Sequence, residues 1–125
     1  MIKSMIMVAV LTATSVTGQP VTYVKNATTT EQAAKVKADT GVKVIMFSAE
    51  WCHYCTQMYP ILDRLSIKYK GKVSFYKLDV DKIGIQTEGV PVTIVTKNDK
   101  NTIVLDGAVS EAELDAAIQT YLKGL

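Results

Sequence analysis

The stretch that decides the fold is Val42-Lys43-Val44-Ile45-Met46-Phe47-Ser48-Ala49-Glu50-Trp51-Cys52-His53-Tyr54-Cys55. Its first seven residues form a nearly continuous apolar run, the pattern of a central strand buried on both faces. From Cys52 to about Tyr69 the period changes to that of a helix, with Met58, Ile61, Leu62 and Leu65 on one stripe. Pro60 lies inside that helix, so a kink is expected near its middle. The strand-to-helix junction places Cys52 at a helix N-terminus, where free N–H groups and the helix dipole favour a thiolate. Cys52 and Cys55 are the only cysteines of the chain. A pair at this spacing can close a small disulfide, and the same pair can open and carry two electrons.

Outward from this junction the chain alternates in type. Val21 to Lys25 reads as a short strand, and Thr29-x-x-Gln32 as a capping box opening a helix that runs to about Asp39. Lys70-Gly71-Lys72 closes the Cys52 helix, and Val73 to Val80 is the next strand. Asp81 to Gly89 holds at most one or two helical turns. Val92 to Thr96 and Thr102 to Leu105 form a hairpin across Lys97 to Asn101. Ser110-x-x-Glu113 caps a last helix carrying Leu114, Ala117, Ile118 and Leu122. The order β-α-β-α-β-(short α)-β-β-α describes an α/β domain. Its cysteine pair lies at the C-terminal end of the central strand, where open α/β sheets place their sites.

The chain has 125 residues, enough for one domain with its own core. Net charge is +2, from 14 basic and 12 acidic residues, and the lysines are scattered. That argues against nucleic acid as a partner. Residues 1–18 differ from the rest: Lys3 precedes an apolar run from Met5 to Ala13, followed by small residues to Gly18. This is the pattern of a secretory signal peptide, with Val16 and Gly18 at the cleavage positions. The run is shorter than the roughly 20 residues that span a bilayer. The expected organisation is a signal peptide over 1–18 and a domain over 19–125, in a periplasmic or secreted protein. The alternative is a cytoplasmic protein in which Met5 to Leu11 adds a strand or helix. Asn26-Ala27-Thr28 fits a glycosylation triplet, one that also arises by chance. Two other uses of the cysteines stand beside redox chemistry. One is a static disulfide; the other is half of a shared metal site, since structural zinc takes four ligands and this chain offers two Cys and one His. No metal site is expected within one chain.

Phe47-x-Ala49-Glu50-Trp51-Cys52-x-x-Cys55 followed by Pro60-Ile61-Leu62 resembles the active-site run of the thioredoxin family. Val90-Pro91 before a strand resembles that family's cis-proline loop. Lys77 to Asp81 resembles the strand carrying its active-site lysine, and Gly107-Ala108 resembles the glycine lining its substrate groove. The resemblance covers about Val21 to Leu122. It implies a thioredoxin fold, a central mixed β-sheet flanked by helices. It implies thiol–disulfide exchange with protein thiols or disulfides, no cofactor beyond the cysteine pair, and a membrane or soluble redox partner that recycles the pair. A monomer is expected. Cys52 would attack and Cys55 resolve. Trp51, Val90, Pro91 and Gly107 would contact substrate, with Pro91 cis.

The departures from the family pattern are specific. His53-Tyr54 stands between the cysteines in place of Gly-Pro, and either residue tunes the pair or is a bystander. Met46 stands where the family has a buried aspartate, which leaves Glu50 and Lys77 as candidates for its role or as ordinary charges. Ser48 replaces a tryptophan, Val92 a threonine, and the 81–91 stretch is short. The direction of electron flow is open. So are two rival readings: a binding or chaperone module with idle cysteines, and a cytosolic, possibly virus-encoded, relative retaining residues 1–18.

Overall fold

The structure is a computed structural model and describes residues 22–98 and 100–123. The segment read as a signal peptide lies outside the described residues. Five strands form one mixed sheet: β1 (Val24–Ala27), β2 (Val42–Ser48), β3 (Ser74–Asp79), β4 (Val92–Lys97) and β5 (Asn101–Asp106). Four helices accompany them: α1 (Thr30–Ala38), α2 (His53–Lys68), α3 (Val80–Ile83) and α4 (Glu111–Leu122). Sheet order is β1-β3-β2-β4-β5. β3 runs parallel to β1 and β2, whereas β4 runs antiparallel to β2 and β5.

β2 occupies the middle because its apolar run can be covered on both sides. Val44 and Met46 face one core with Phe75 and Val95, sealed by Leu62 and Leu65 of α2 and Leu114 and Ile118 of α4. Ile45 and Phe47 pack against the smaller cluster of Ala27, Val36, Tyr76 and Leu78 on the α1 side. Each fully buried leucine contributes about 1.5–3 kcal/mol of transfer free energy, so the α2–α4 face carries most of the apolar stabilisation.

Local signals set the helix starts. Ser110 and Glu113 form a reciprocal capping box at α4. At α1, Thr29 accepts from the Gln32 N–H, but Gln32 Oε1 accepts from Thr28 N–H at 2.8 Å, one residue earlier than a box requires. α2 runs without interruption from His53 to Lys68, with Pro60 on its exposed side. β1 begins at Val24, later than the pattern placed it. The Tyr23 N–H is turned to Ser66 Oγ of α2 at 3.1 Å, and Val24 pairs with Phe75. Lys43 reads in the sequence as a polar break in an apolar run. It is fully buried, and its ammonium donates to the carbonyls of Val36 and Asp39, both at 2.7 Å. It thereby satisfies acceptors at the C-terminal end of α1.

Candidate active site

β2 ends at Ser48, and the Cys52 N–H closes a turn onto the Ala49 carbonyl at 3.1 Å. That turn delivers Cys52 to the N-cap position of α2, where its Sγ accepts from the Cys55 N–H at 3.1 Å. The other long helices are capped by hydroxyls, at Thr29 and Ser110; α2 is capped by sulfur. No acidic side chain occupies its first turn, so the N–H groups and the dipole there act on the sulfur alone. Cys52 and Cys55 are joined as a disulfide with a Cα separation of 5.3 Å. Cys52 retains 5% exposure and Cys55 none. The outer sulfur is the one a partner can reach.

The residues around the pair divide into a rim and a floor. On the rim, His53 and Tyr54 are exposed, their rings edge to face at 5.6 Å. Trp51 is 69% exposed, and its indole Nε1 donates to Asp81 Oδ2 at 2.7 Å. Glu50 points to solvent and pairs with Lys82 at 3.2 Å. It is therefore not brought under the disulfide. Lys77 lies half-buried opposite Met46, with its ammonium 4.0 Å from the Tyr59 ring centre on α2. Met46 is fully buried in the same apolar cluster as both cysteines.

A cleft of about 550 Å³ adjoins the loop between α3 and β4, lined by Thr87, Glu88, Val90, Pro91, Asp106 and Gly107 among others. The Val90–Pro91 peptide is cis. Pro91 is buried and Val90 half-buried. The Pro91 carbonyl accepts from the Gly107 N–H at 2.9 Å, which ties the loop to the end of β5. Gly107 makes this approach with φ at 76°, a conformation in which a Cβ is strained. A second cleft, lined by Trp51, Asp81, Gln86, Glu88 and Val90, continues the surface toward the cysteines. The structure thus gathers Trp51, Val90, Pro91 and Gly107 around two adjoining clefts.

Two residues escaped sequence reasoning. Asp81 holds Trp51 across the gap between β2 and α3, a contact made by residues thirty apart. Thr93, two residues past Pro91, lies opposite Met46 and is fully buried. Only its place after the proline loop hinted at it. Among the described residues no group of three or more His, Cys, Asp or Glu is placed to hold a metal ion. No helix among them is long and apolar enough to cross a membrane.

The thioredoxin family model matches residues 23–120. The chain is 34% identical over 94 residues to the H-type thioredoxin of Chlamydomonas reinhardtii, covering 75% of this chain and 80% of that protein. It is 33% identical over 84 residues to the chloroplastic M-type thioredoxin of Spinacia oleracea, covering 63% of this chain. This chain spans about half the length of the chloroplastic relatives it matches, 46% of the spinach protein and 54% of the M4 thioredoxin of Arabidopsis thaliana. Among solved structures, thioredoxin NaTrxh of Nicotiana alata superimposes with a TM-score of 0.68 at 26% identity, over 85% of this chain and 97% of that one. Malassezia sympodialis thioredoxin gives a TM-score of 0.67 at 28% identity, over 85% of this chain and 96% of that one. The sheet order, the cysteine pair at the head of α2 and the match along nearly all of the described residues lead to one conclusion: this chain belongs to the thioredoxin family.

Proposed function

We propose that this chain is a thiol–disulfide oxidoreductase acting on proteins through Cys52 and Cys55. The observation that carries the reading is a single placement. The Cys52 sulfur is the N-cap of α2, slightly exposed, with its disulfide partner fully buried behind it. In the reducing direction the Cys52 thiolate attacks one sulfur of a substrate disulfide, and the other substrate sulfur leaves as a thiol. Cys55 then attacks Cys52 Sγ, the mixed disulfide breaks, and the substrate departs with two electrons and two protons. The Cys52–Cys55 disulfide is the product, and the same steps reversed oxidise a dithiol. Which way the cycle runs depends on the partner that recycles the pair. Val90, Pro91 and Gly107 offer an extended substrate a main-chain docking edge, a sequence-tolerant mode of recognition. Trp51, tethered by Asp81, forms the wall of that edge. His53 and Tyr54 act on the reactive sulfur from the rim, and Lys77 acts from below.

Residues 1–18 have the composition of an export signal. We place the working domain outside the cytosol, in the periplasm or secreted, with a cytoplasmic protein as the competing reading. The test is a trap. Cys55→Ala, expressed from the full chain, should accumulate mixed disulfides through Cys52, and Cys52→Ser should accumulate none. The compartment of the trapped proteins reports where the chain works, and the intact mass reports whether residues 1–18 are removed. A wild-type chain that leaves insulin disulfides untouched in the presence of dithiothreitol would instead support a binding module with idle cysteines.

A further inference from the structure

The two clefts at the proline loop, of about 550 and 380 Å³, share Glu88 and Val90 in their walls. Asp106 lines the larger and Asp81 the smaller. Register between β4 and β5 sets Asp106 opposite Val92, one residue past Pro91. Among the described residues that line either cleft there is no lysine or arginine. This runs against the chain as a whole, where 14 basic residues outnumber 12 acidic ones. Lys77 and Lys82 line a different cleft, with Ser48 and Asp79. Other carboxylates are answered: Glu111 by Arg64, Asp115 by Lys68, Glu50 by Lys82, and Asp81 by the Trp51 indole. The carboxylates of Glu88 and Asp106 are exposed and have no ion pair or hydrogen bond among the described residues.

Two further observations say what such a surface receives. Val90 is half-buried where the clefts meet, and its N–H and C=O make no hydrogen bond among the described residues. Its neighbours are engaged: the Gly89 carbonyl accepts from the Thr87 hydroxyl at 2.9 Å, and the Pro91 carbonyl from the Gly107 N–H at 2.9 Å. A free donor and acceptor on one residue suit an extended chain. Trp51 walls the smaller cleft and is 69% exposed, and an indole face is the best aromatic surface for a cation. We propose that the clefts select extended protein segments carrying lysine or arginine beside the reacting cysteine, with Glu88 and Asp106 setting the preference. This rests on reading the pair as a thiol–disulfide exchanger and names its substrate class. Unpaired charge on an exposed rim acts mainly by steering encounter, and salt screens it.

The test uses the full chain, reduced beforehand and freed of reductant, with three synthetic peptides. Each peptide carries one disulfide loop, flanked at the same positions by lysines, serines or glutamates. Two electrons pass from the Cys52–Cys55 dithiol to the peptide disulfide, leaving the protein disulfide and the peptide dithiol. Each rate constant is divided by that of dithiothreitol with the same peptide, which removes the peptide's own reactivity. The lysine peptide should react about tenfold faster than the glutamate peptide at about 20 mM salt, and about twofold faster at about 0.5 M. Glu88→Lys combined with Asp106→Lys should reverse the order. Glu88→Gln combined with Asp106→Asn should bring the two rates within about twofold of each other, and serves if the charge reversal does not fold. A folded variant that keeps the wild-type ratio, or a ratio that salt leaves unchanged, overturns the proposal. A wild type that reduces the serine peptide and insulin with no preference for charge removes the role of Glu88 and Asp106 alone. A wild type that neither equilibrates with glutathione nor reduces insulin or any of the peptides overturns the underlying reading.

Discussion

Lys43 on β2 and Thr93 on β4 are both polar and both fully buried, and the protein treats them in opposite ways. Lys43 lies on the α1 side of the sheet, where its ammonium is held by carbonyls at the end of that helix. Beside it, Tyr76 donates its hydroxyl to Asp39 at 2.7 Å, and Asp39 also accepts from the Gly41 N–H at 3.1 Å. Every polar group named in that cluster has a partner. Thr93 lies on the other side of the sheet, opposite Met46, and its hydroxyl has no partner among the described residues. Away from the cysteines, buried polarity holds a helix end to the sheet. On the face that carries Met46, one buried hydroxyl is left unpaired.

The largest effect should come from breaking the satisfied cluster. Lys43→Ala removes a buried stem and strips the carbonyls of α1 of their donor. We expect it to lower the unfolding free energy by about 3 kcal/mol, read by urea denaturation of the oxidised protein. Lys43→Met, which keeps the bulk without the charge, should lose roughly half as much. In both, the glutathione equilibrium should match wild type, because the α1 side takes no part in the redox step. A shifted equilibrium would erase the distinction between the two regions.

Met46→Asp sharpens the comparison from the other side. It places a carboxyl opposite Thr93 and gives the orphaned hydroxyl an acceptor. Burying the acid should cost about 2 kcal/mol of stability, measured in the same denaturation experiment. A proton acceptor then stands where the family has its buried aspartate, and resolution of the mixed disulfide should speed several-fold in stopped-flow assays. A folded variant with wild-type resolution rates would show that the floor of the site needs no acid.

The smallest effect concerns pH. Burial pushes the Asp39 carboxyl up, but the Tyr76 hydroxyl, the Gly41 N–H and the Lys43 charge outweigh it, so Asp39 titrates below its ordinary 3.8. Its contribution to stability is complete above that pH and is lost as acid protonates the folded state. Tyr76 moves the other way. Burial first, and then the bond to Asp39, push it from 10.0 to about 12. Its contribution is present below pH 10.0 and fades as pH rises toward 12. Tyr76→Phe should cost about 1.5 kcal/mol at neutral pH and flatten both limbs of the stability profile. Unchanged limbs would mean that other groups carry the pH dependence.

The site was legible where its signal is local. The run from Val42 to Cys55 announces a buried strand turning into a helix, and Cys52 at the helix start follows from spacing alone. Ser110 and Glu113 mark a helix start four residues wide, and the structure closes that box. Lys43 stood inside the apolar run with no role assigned to it. Nothing nearby in sequence shows that α1 will end over it. Glu50 was a candidate, by analogy with the family, for the role of the missing buried acid, yet it turns outward to Lys82. Asp81 carried no signal because its partner Trp51 lies thirty positions away, and Thr93 showed only its place after the proline loop, its strand neighbour Met46 being far off in sequence.

The sequence by itself determined the order of elements, the helix caps and the placement of both sulfurs at the start of α2. These depend on residues within a few positions of one another, where propensity, periodicity and capping act. Tertiary structure alone decided which polar groups are paired. Register across β3, β2 and β4 set Lys77, Met46 and Thr93 in one row, and the packing of α1 and α2 on opposite faces closed water out of both cores. A hydrogen bond requires its partner in space, and only the folded sheet brings residues from three strands into one row.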